Sequence, residues 1–531
     1  MPGVRRTSGQ TEGVTPITFR PRLAAAALLP LLAAAACTGG HPASHGSSSP
    51  GAPSGSATVS SSGSASGSPS AQGSASGSTA GSASASASAA PTASTSSTAT
   101  ASAPSGTSSS GYPVAIWPTY HHDTLRSGVL PNAPAISQLR VIARAQLDGA
   151  VYGSPIVVRD GQGDLVVVAT ENNTLYGIRD DGQIAWSRHI GTPVDGSALP
   201  CGNIDPSGIT GTPVYDPATG LVFAVAFLAG FHHELVAVDA ESGRLAWTRP
   251  VDPPGSHPEV EQQRGALLIA AGRVWIPYGG LYGDCGPYHG YLVGVPTTTP
   301  GGSAVIYQVP SSREAGIWAP PGAAYDGAHL FVAVGNGAQT DPSGPYDMSD
   351  SVIELDTAGH VVSYYAPANW ADENAADLDL GTTGPLLLPS GQVFVAGKDG
   401  KAYLLRAGAL GGVGGAVPVL PLCTAFGGAA AAGPFVYVPC TNGVHAVRIS
   451  GSTMTPVWRA APPGSPIVVA GTVLSTDRSG TLYGLDASTG AVRWQTALGD
   501  SLTRFATPAA ATDGYLYVGT EHGMLVIVAT R

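Results

Sequence analysis

Lysine is nearly missing from this chain: Lys398 and Lys401 are the only two in 531 residues. Charge of either sign is sparse, at 11% of residues, where soluble domains carry roughly 25%. Arg5, Arg6, Arg20 and Arg22, with Glu12, fall in the first 36 residues, which leaves 20 basic against 34 acidic residues beyond them. That balance excludes the electrostatic footprint of a nucleic-acid or anionic-membrane binder.

Long hydrophobic runs are also absent. The apolar stretch Leu23–Ala36 is 14 residues long, short of the roughly 20 that a membrane-spanning helix needs. Preceded by arginines and followed by Cys37-Thr-Gly-Gly, it reads as an export signal over residues 1–36. Cys37 stands where a bacterial lipobox places its lipid-modified cysteine, although Ala34 replaces the preferred Leu. Lipidation at Cys37 anchors the chain to the outer face of the cytoplasmic membrane; cleavage by ordinary signal peptidase instead leaves a free secreted protein.

Residues 37–111 hold no Asp, Glu, Lys or Arg and are nearly all Ser, Ala, Gly, Thr and Pro. Such a composition cannot bury enough apolar surface to offset its ordering entropy and predicts a disordered tether. The 74 residues from Thr38 to Gly111 would span on the order of 50 Å as a flexible coil.

Cysteine is scarce, with four beyond Cys37: Cys201, Cys285, Cys423 and Cys440. No C-x-x-C spacing supports zinc. An even number in an exported chain suggests two disulfides. Of the three pairings, a local Cys423–Cys440 bridge is preferred, which leaves Cys201–Cys285. No C-x-x-C-H offers a c-type haem, no G-x-S-x-G offers a serine nucleophile, and no Gly-rich loop carries the Lys-Ser/Thr of a phosphate cradle.

What the chain does have is a repeat. Leu175-Tyr-Gly-Ile-Arg-Asp-Asp-Gly-Gln-Ile-Ala-Trp186, Leu235-Val-Ala-Val-Asp-Ala-Glu-Ser-Gly-Arg-Leu-Ala-Trp247 and Leu482-Tyr-Gly-Leu-Asp-Ala-Ser-Thr-Gly-Ala-Val-Arg-Trp494 each read as strand, Asp–Gly turn and strand ending on Trp. Units open at Gly153-Ser-Pro, Gly211-Thr-Pro, Arg264-Gly-Ala, Trp318-Ala-Pro, Thr383-Gly-Pro, Gly427-Gly-Ala, Gly464-Ser-Pro and Ala506-Thr-Pro. A period of roughly 40–60 residues with several short strands per unit predicts a β-propeller over residues 112–531. The fold class is all-β: eight four-stranded antiparallel blades, with seven as the alternative. The last unit stops after Leu525-Val-Ile-Val528, one strand short. The segment Leu139–Leu147 is predicted to supply that strand and close the ring. Trp186, Trp247, Trp458 and Trp494 are predicted to dock on adjacent blades.

These units resemble PQQ-like propeller repeats, named for quinoprotein alcohol dehydrogenases and shared with an outer-membrane assembly lipoprotein. Trp117-Pro-Thr-Tyr-His-His-Asp-Thr-Leu-Arg-Ser-Gly128 is similar to the opening of that superfamily. In its dehydrogenases a calcium ion and the quinone PQQ sit in the hub. The resemblance makes Asn336, in Val334-Gly-Asn-Gly337, a candidate metal ligand and Asp377 or Asp379 the candidate base. Asp350, in the acidic loop 341–350, is a further metal candidate. Three family features are missing: adjacent cysteines, since Gly202 follows Cys201; a matching Glu, since Glu234 is displaced; and a haem site.

The stretch Tyr278-Gly-Gly-Leu-Tyr-Gly-Asp-Cys-Gly-Pro-Tyr-His-Gly290 is the most unusual. Tyr278, Tyr282, Asp284, Tyr288 and His289 among glycines suggest either a ligand-binding rim or a stapled loop. The favoured reading is a monomeric, tethered, extracytoplasmic binding or scaffolding propeller that takes a protein, peptide or glycan and needs no cofactor. A PQQ- and calcium-dependent dehydrogenase, or an accessory subunit of envelope machinery, is the alternative.

Overall fold

A computed structural model describes residues 111–531; the export signal, Cys37 and residues 37–110 of the tether lie outside the described residues. Eight antiparallel sheets follow one another along the chain. Blade 1 is Ile156–Asp160, Gly163–Ala169, Thr174–Arg179 and Ile184–His189. Blade 2 begins at Val214, blade 3 at Leu268, blade 4 at Ala324, blade 5 at Leu386, blade 6 at Ala430, blade 7 at Ile467 and blade 8 at Ala509. Each start falls shortly after one of the eight small-residue openings, because those residues carry the chain through the crowded hub.

Blade 8 has only three strands from the C-terminal unit. Its fourth is Arg140–Gln146, which pairs antiparallel with Met524–Ala529. The ring is therefore closed by its own N-terminal strand, and the edge that Met524–Ala529 would expose is covered.

The core lies between blades. Ile156, Val158 and Leu165 of blade 1 pack on Tyr215, Val222 and Ala224 of blade 2. The same interleaving joins blades 2 and 3, 3 and 4, 4 and 5, 5 and 6, and 6 and 7. One larger cluster joins blades 7, 8 and 1. Both faces of each sheet are covered, so central strands such as Leu221–Leu228 are apolar almost throughout.

The repeat motif works as an interlock. Trp186 lies opposite Gly177 in the ladder, and a Cβ at Gly177 would meet the indole at 2.3 Å. Ala237 and Gly484 occupy the same place opposite Trp247 and Trp494. From blade 1, Trp186 Nε1 donates to Ala240 O in the turn of blade 2, 3.1 Å away. Trp458 Nε1 of blade 6 repeats this contact with Ala487 O of blade 7.

Before blade 1 the chain crosses the hub. Val114–Trp117 pairs with the inner strand of blade 1. Pro118 O, Thr124 O, Leu125 O, Ser127 O and Gly128 O accept from Tyr215, Tyr325, Leu387, Ala431 and Val468, the inner strands of blades 2, 4, 5, 6 and 7. Thr119 Oγ1 donates to Leu267 O at blade 3, and Thr507 Oγ1 beside blade 8 donates to Tyr120 Oη. Arg126 is fully buried in this crossing and donates to Ala323 O, Thr119 Oγ1, Tyr120 O and Leu267 O. One segment of about 15 residues thus touches all eight blades and floors the hub.

Candidate ligand-binding site

A cavity of about 490 Å³ opens in the hub, with Tyr120 of the crossing among its lining residues. Its walls follow the repeat. Tyr152, Thr210, Arg264, Phe426 and Phe505 each stand one residue before the small residue that opens a unit, and Trp318 stands before Ala319. The blade starts fan around one axis, so residues at this recurring position converge. Arg504 adds a cation, stacked over the Phe426 ring at 4.1 Å.

Asn336, Asp377 and Asp379 do converge on this cavity. Asn336 follows the second strand of blade 4, and the two aspartates precede the inner strand of blade 5. The Asn336 backbone N–H donates to Asp379 Oδ1 at 2.6 Å, and its side-chain Nδ2 donates to Asp377 Oδ1 at 2.8 Å. Lys398, which sequence reasoning passed over, sits between the carboxylates: its Nζ is 2.5 Å from Asp377 Oδ1 and 2.5 Å from Asp379 Oδ2. Burial pushes the Asp379 carboxyl up from its usual range against the Lys398 charge. Burial alone would lower Lys398, but the Asp379 and Asp377 carboxylates hold it above its usual value. The Trp318 ring centroid lies 5.9 Å from the same ammonium.

Glu171 lies behind the wall, fully enclosed. Gly208 N–H and the Thr210 hydroxyl donate to its Oε2, while Oε1 has no partner. Burial pushes its carboxyl to about 7, against those two hydrogen bonds and the Arg264 charge. Arg264 donates to Gln262 Oε1 from Nε and from Nη2, and among the described residues no carboxylate forms an ion pair with it. Desolvation lowers its guanidinium from the ordinary value.

The rim candidates divide. Tyr282 is 63% exposed and lines the cavity together with Asp284. Tyr278 is no rim residue: it belongs to the strand Arg273–Gly280, is wholly buried against blade 2, and donates from its hydroxyl to Val251 O. Tyr288 is buried too. Its ring covers Gly280, leaving no room for a Cβ there, and its hydroxyl donates to Asp284 Oδ1 at 2.7 Å. His289 is half-buried and does not reach the cavity; its ring stands edge-on to Tyr291. Asp350 is also outside it. Its φ is +47°, its Oδ1 accepts from the Leu380 N–H, and its carboxyl is pushed well up by burial and by a hydrogen bond shared with Glu373. The sequence of neither stretch shows these placements, because strand phase and loop path decide which side chains turn inward.

The structure bonds Cys201 to Cys285 and Cys423 to Cys440. The first bridge ties the loop after blade 1 to the loop between Arg273–Gly280 and Tyr291–Pro296. Asn203, Ile204, Tyr282, Gly283 and Asp284 of these two loops line the cavity, so the bridge fixes one wall.

The residues do not fit a quinone held on calcium. Lys398 already ion-pairs with both candidate carboxylates, so of the candidate ligands that line the cavity only Asn336 Oδ1 is buried and unpartnered. No glutamate lines the cavity, and the disulfide near it joins residues 84 apart rather than neighbours.

A family model described as outer membrane protein assembly factor BamB matches residues 140–276 and 423–531. No curated protein sequence matches the chain. Among solved structures, the quinohemoprotein alcohol dehydrogenase ADHIIG of Pseudomonas putida HK5 is similar, with TM-score 0.61 and 14% identity over 78% of this chain and 80% of that one. A europium-containing methanol dehydrogenase gives 0.61 and 14% over 78% and 98%. BamB from Moraxella catarrhalis gives 0.50 and 16% over 74% and 99%. Repeat pattern, matched model and ring of blades agree: the chain is an eight-bladed β-propeller whose repeats are similar to the PQQ-like repeats of that model.

Proposed function

We propose that this chain is an exported binding propeller that holds a small molecule, or the terminal unit of a peptide or glycan, in its hub. The cavity carries this reading. It is floored by the N-terminal crossing, has a volume suited to a small ligand, and combines flat rings (Trp318, Tyr152, Tyr282, Phe505) with Arg264, a cation that no carboxylate among the described residues pairs. Rings supply stacking faces and the guanidinium supplies a fork for an acidic or hydroxyl-rich group. Catalysis is disfavoured by Lys398, which ion-pairs with both carboxylates that the resemblance offers as a base, Asp377 and Asp379. Export and tethering through Cys37 belong to the same proposal; two disulfides support an oxidising compartment.

The test is thermal unfolding of the full chain titrated with soluble cell-wall glycopeptide fragments and, separately, with pyrroloquinoline quinone plus calcium. A saturable rise with the fragments that is lost in Trp318→Ala and Arg264→Gln is expected. A rise only with quinone and calcium, together with dye-linked alcohol oxidation, would replace this reading with the dehydrogenase alternative. No response to any small ligand, with an envelope protein captured in its place, would make the chain a scaffold. Metabolic labelling with a radioactive fatty acid, lost in Cys37→Ser, tests the anchor.

A further inference from the structure

Beside the hub cavity lies a second hollow of about 270 Å³, set between blades 6, 7 and 8. Pro439, Thr441, Pro463, Ser465, Arg478 and Thr503 line it, and Phe426, Arg504 and Phe505 form the partition it shares with the hub. Its electrostatics are lopsided. Arg478 and Arg504 both border it, and among the described residues neither has a carboxylate within ion-pair distance nor a side-chain hydrogen bond to any group. The one carboxylate in the wall, Asp477, is already occupied: Ser479 Oγ and the Thr481 N–H donate to its Oδ1, and the Tyr483 hydroxyl to its Oδ2.

Two like charges on one hollow repel each other, and partial desolvation, followed by the Arg478 charge, lowers the Arg504 guanidinium from its ordinary value. Arg504 is nevertheless held in place, its guanidinium 4.1 Å from the Phe426 ring centroid and 5.6 Å from that of Phe505. Stacking uses the faces of the guanidinium and leaves its N–H edge free to donate. Thr503, 3% exposed in the same wall, has a buried hydroxyl with no partner. A pair of forked donors, one of them pre-oriented by stacking, with no acceptor supplied by the protein, lacks only the acceptor.

We propose that this side hollow is an oxyanion site, in which Arg478 and Arg504 together bind a phosphate, sulfate or carboxylate group. The proposal does not depend on what the hub holds, because Arg478 and Thr503 do not line the hub. Where an acidic ligand does occupy the hub, Arg504 belongs to both spaces and lets one molecule reach from the rings into the side hollow.

Calorimetric titration of the full chain with inorganic phosphate, in chloride buffer of matched ionic strength, tests the site, with sulfate and acetate as separate arms. Saturable binding of a tetrahedral anion at millimolar or tighter affinity is expected, weakened about tenfold or more in Arg478→Gln and in Arg504→Gln. Retention by acetate alone would assign the site to carboxylates. Lys398→Gln, which alters the hub but not the hollow, leaves phosphate affinity within about twofold if the inference is right. Binding that is absent in the parent chain, unchanged in both arginine variants, or lost equally in Lys398→Gln overturns it. Unfolding midpoints of the three variants, expected within a few degrees of the parent, separate loss of site from loss of fold.

Discussion

At the scale of the residue, the ammonium of Lys398 decides what the most suggestive part of the chain can do. Asn336, Asp377 and Asp379 are brought together, but around an internal cation rather than a vacant cage. Removing that cation leaves the enclosed Asp379 uncompensated, and breaking such a pair costs roughly 3 kcal/mol. Lys398→Met is expected to lose about this much stability in chelator, by urea unfolding, and to recover part of it in millimolar calcium, to which the parent chain is indifferent. Glu171 gives a second residue-level prediction. Its folded carboxyl is pushed to about 7 from the usual 4.5, so the folded state keeps a proton that the unfolded state releases earlier. Stability from this group is complete below about pH 4.5 and is lost as pH rises through about 7. Glu171→Gln keeps an acceptor for Gly208 and Thr210 but needs no proton. Its unfolding free energy relative to the parent should climb by roughly 2–3 kcal/mol between pH 4.5 and 8; a difference that stays flat with pH would contradict the shift.

At the scale of the element, much was legible because the repeat binds each feature to a neighbour. The Asp of the turn is held by local donors, as in Asp239 Oδ1 accepting from the Ser242 N–H. The glycine of the same turn, Gly243, has φ +68° and lies against Trp186 of the preceding blade. Asp, Gly and Trp therefore recur together because one blade's turn is the next contact of another blade's Trp. Less legible was the loop from Leu281 to Gly290. Its four polar and aromatic candidates divide between wall and interior: Tyr282 and Asp284 face the cavity, while Tyr288 folds onto Gly280 and His289 stays outside the cavity. The Cys201–Cys285 bridge pins this loop. Cys201→Ser with Cys285→Ser is expected to cost about 2–4 kcal/mol of stability. It should also weaken any hub ligand more than Cys423→Ser with Cys440→Ser does, measured by calorimetry on both double variants.

At the scale of the whole molecule, the ring is held by two devices of the N-terminal segment: the crossing that floors the hub and the strand Arg140–Gln146 that completes blade 8. Proline cannot donate to a ladder and costs about 3 kcal/mol in regular structure. Ala145→Pro, set opposite Leu525, is expected to detach this strand and expose Met524–Ala529 as a sheet edge. Self-association seen by light scattering is the outcome expected, with a less cooperative unfolding transition; a monodisperse monomer would show that the ring closes without it.

The sequence by itself determined the architecture: the number of units, the short last unit, the strand that completes it and the interlocking Trp. These are properties of a pattern repeated along the chain, and each repeat reports the same local packing. The hub was different. Tyr152, Thr210, Arg264, Trp318, Phe426 and Phe505 share one position relative to the unit openings, so their convergence was written in the period, though not in any motif of their own. That Lys398 would sit between two aspartates, that Tyr278 would turn to the core, and that Arg504 would stack on Phe426 between two cavities depended on loop paths that do not repeat. Tertiary structure alone decided them, because a ring brings together residues far apart in sequence at distances that no local spacing encodes.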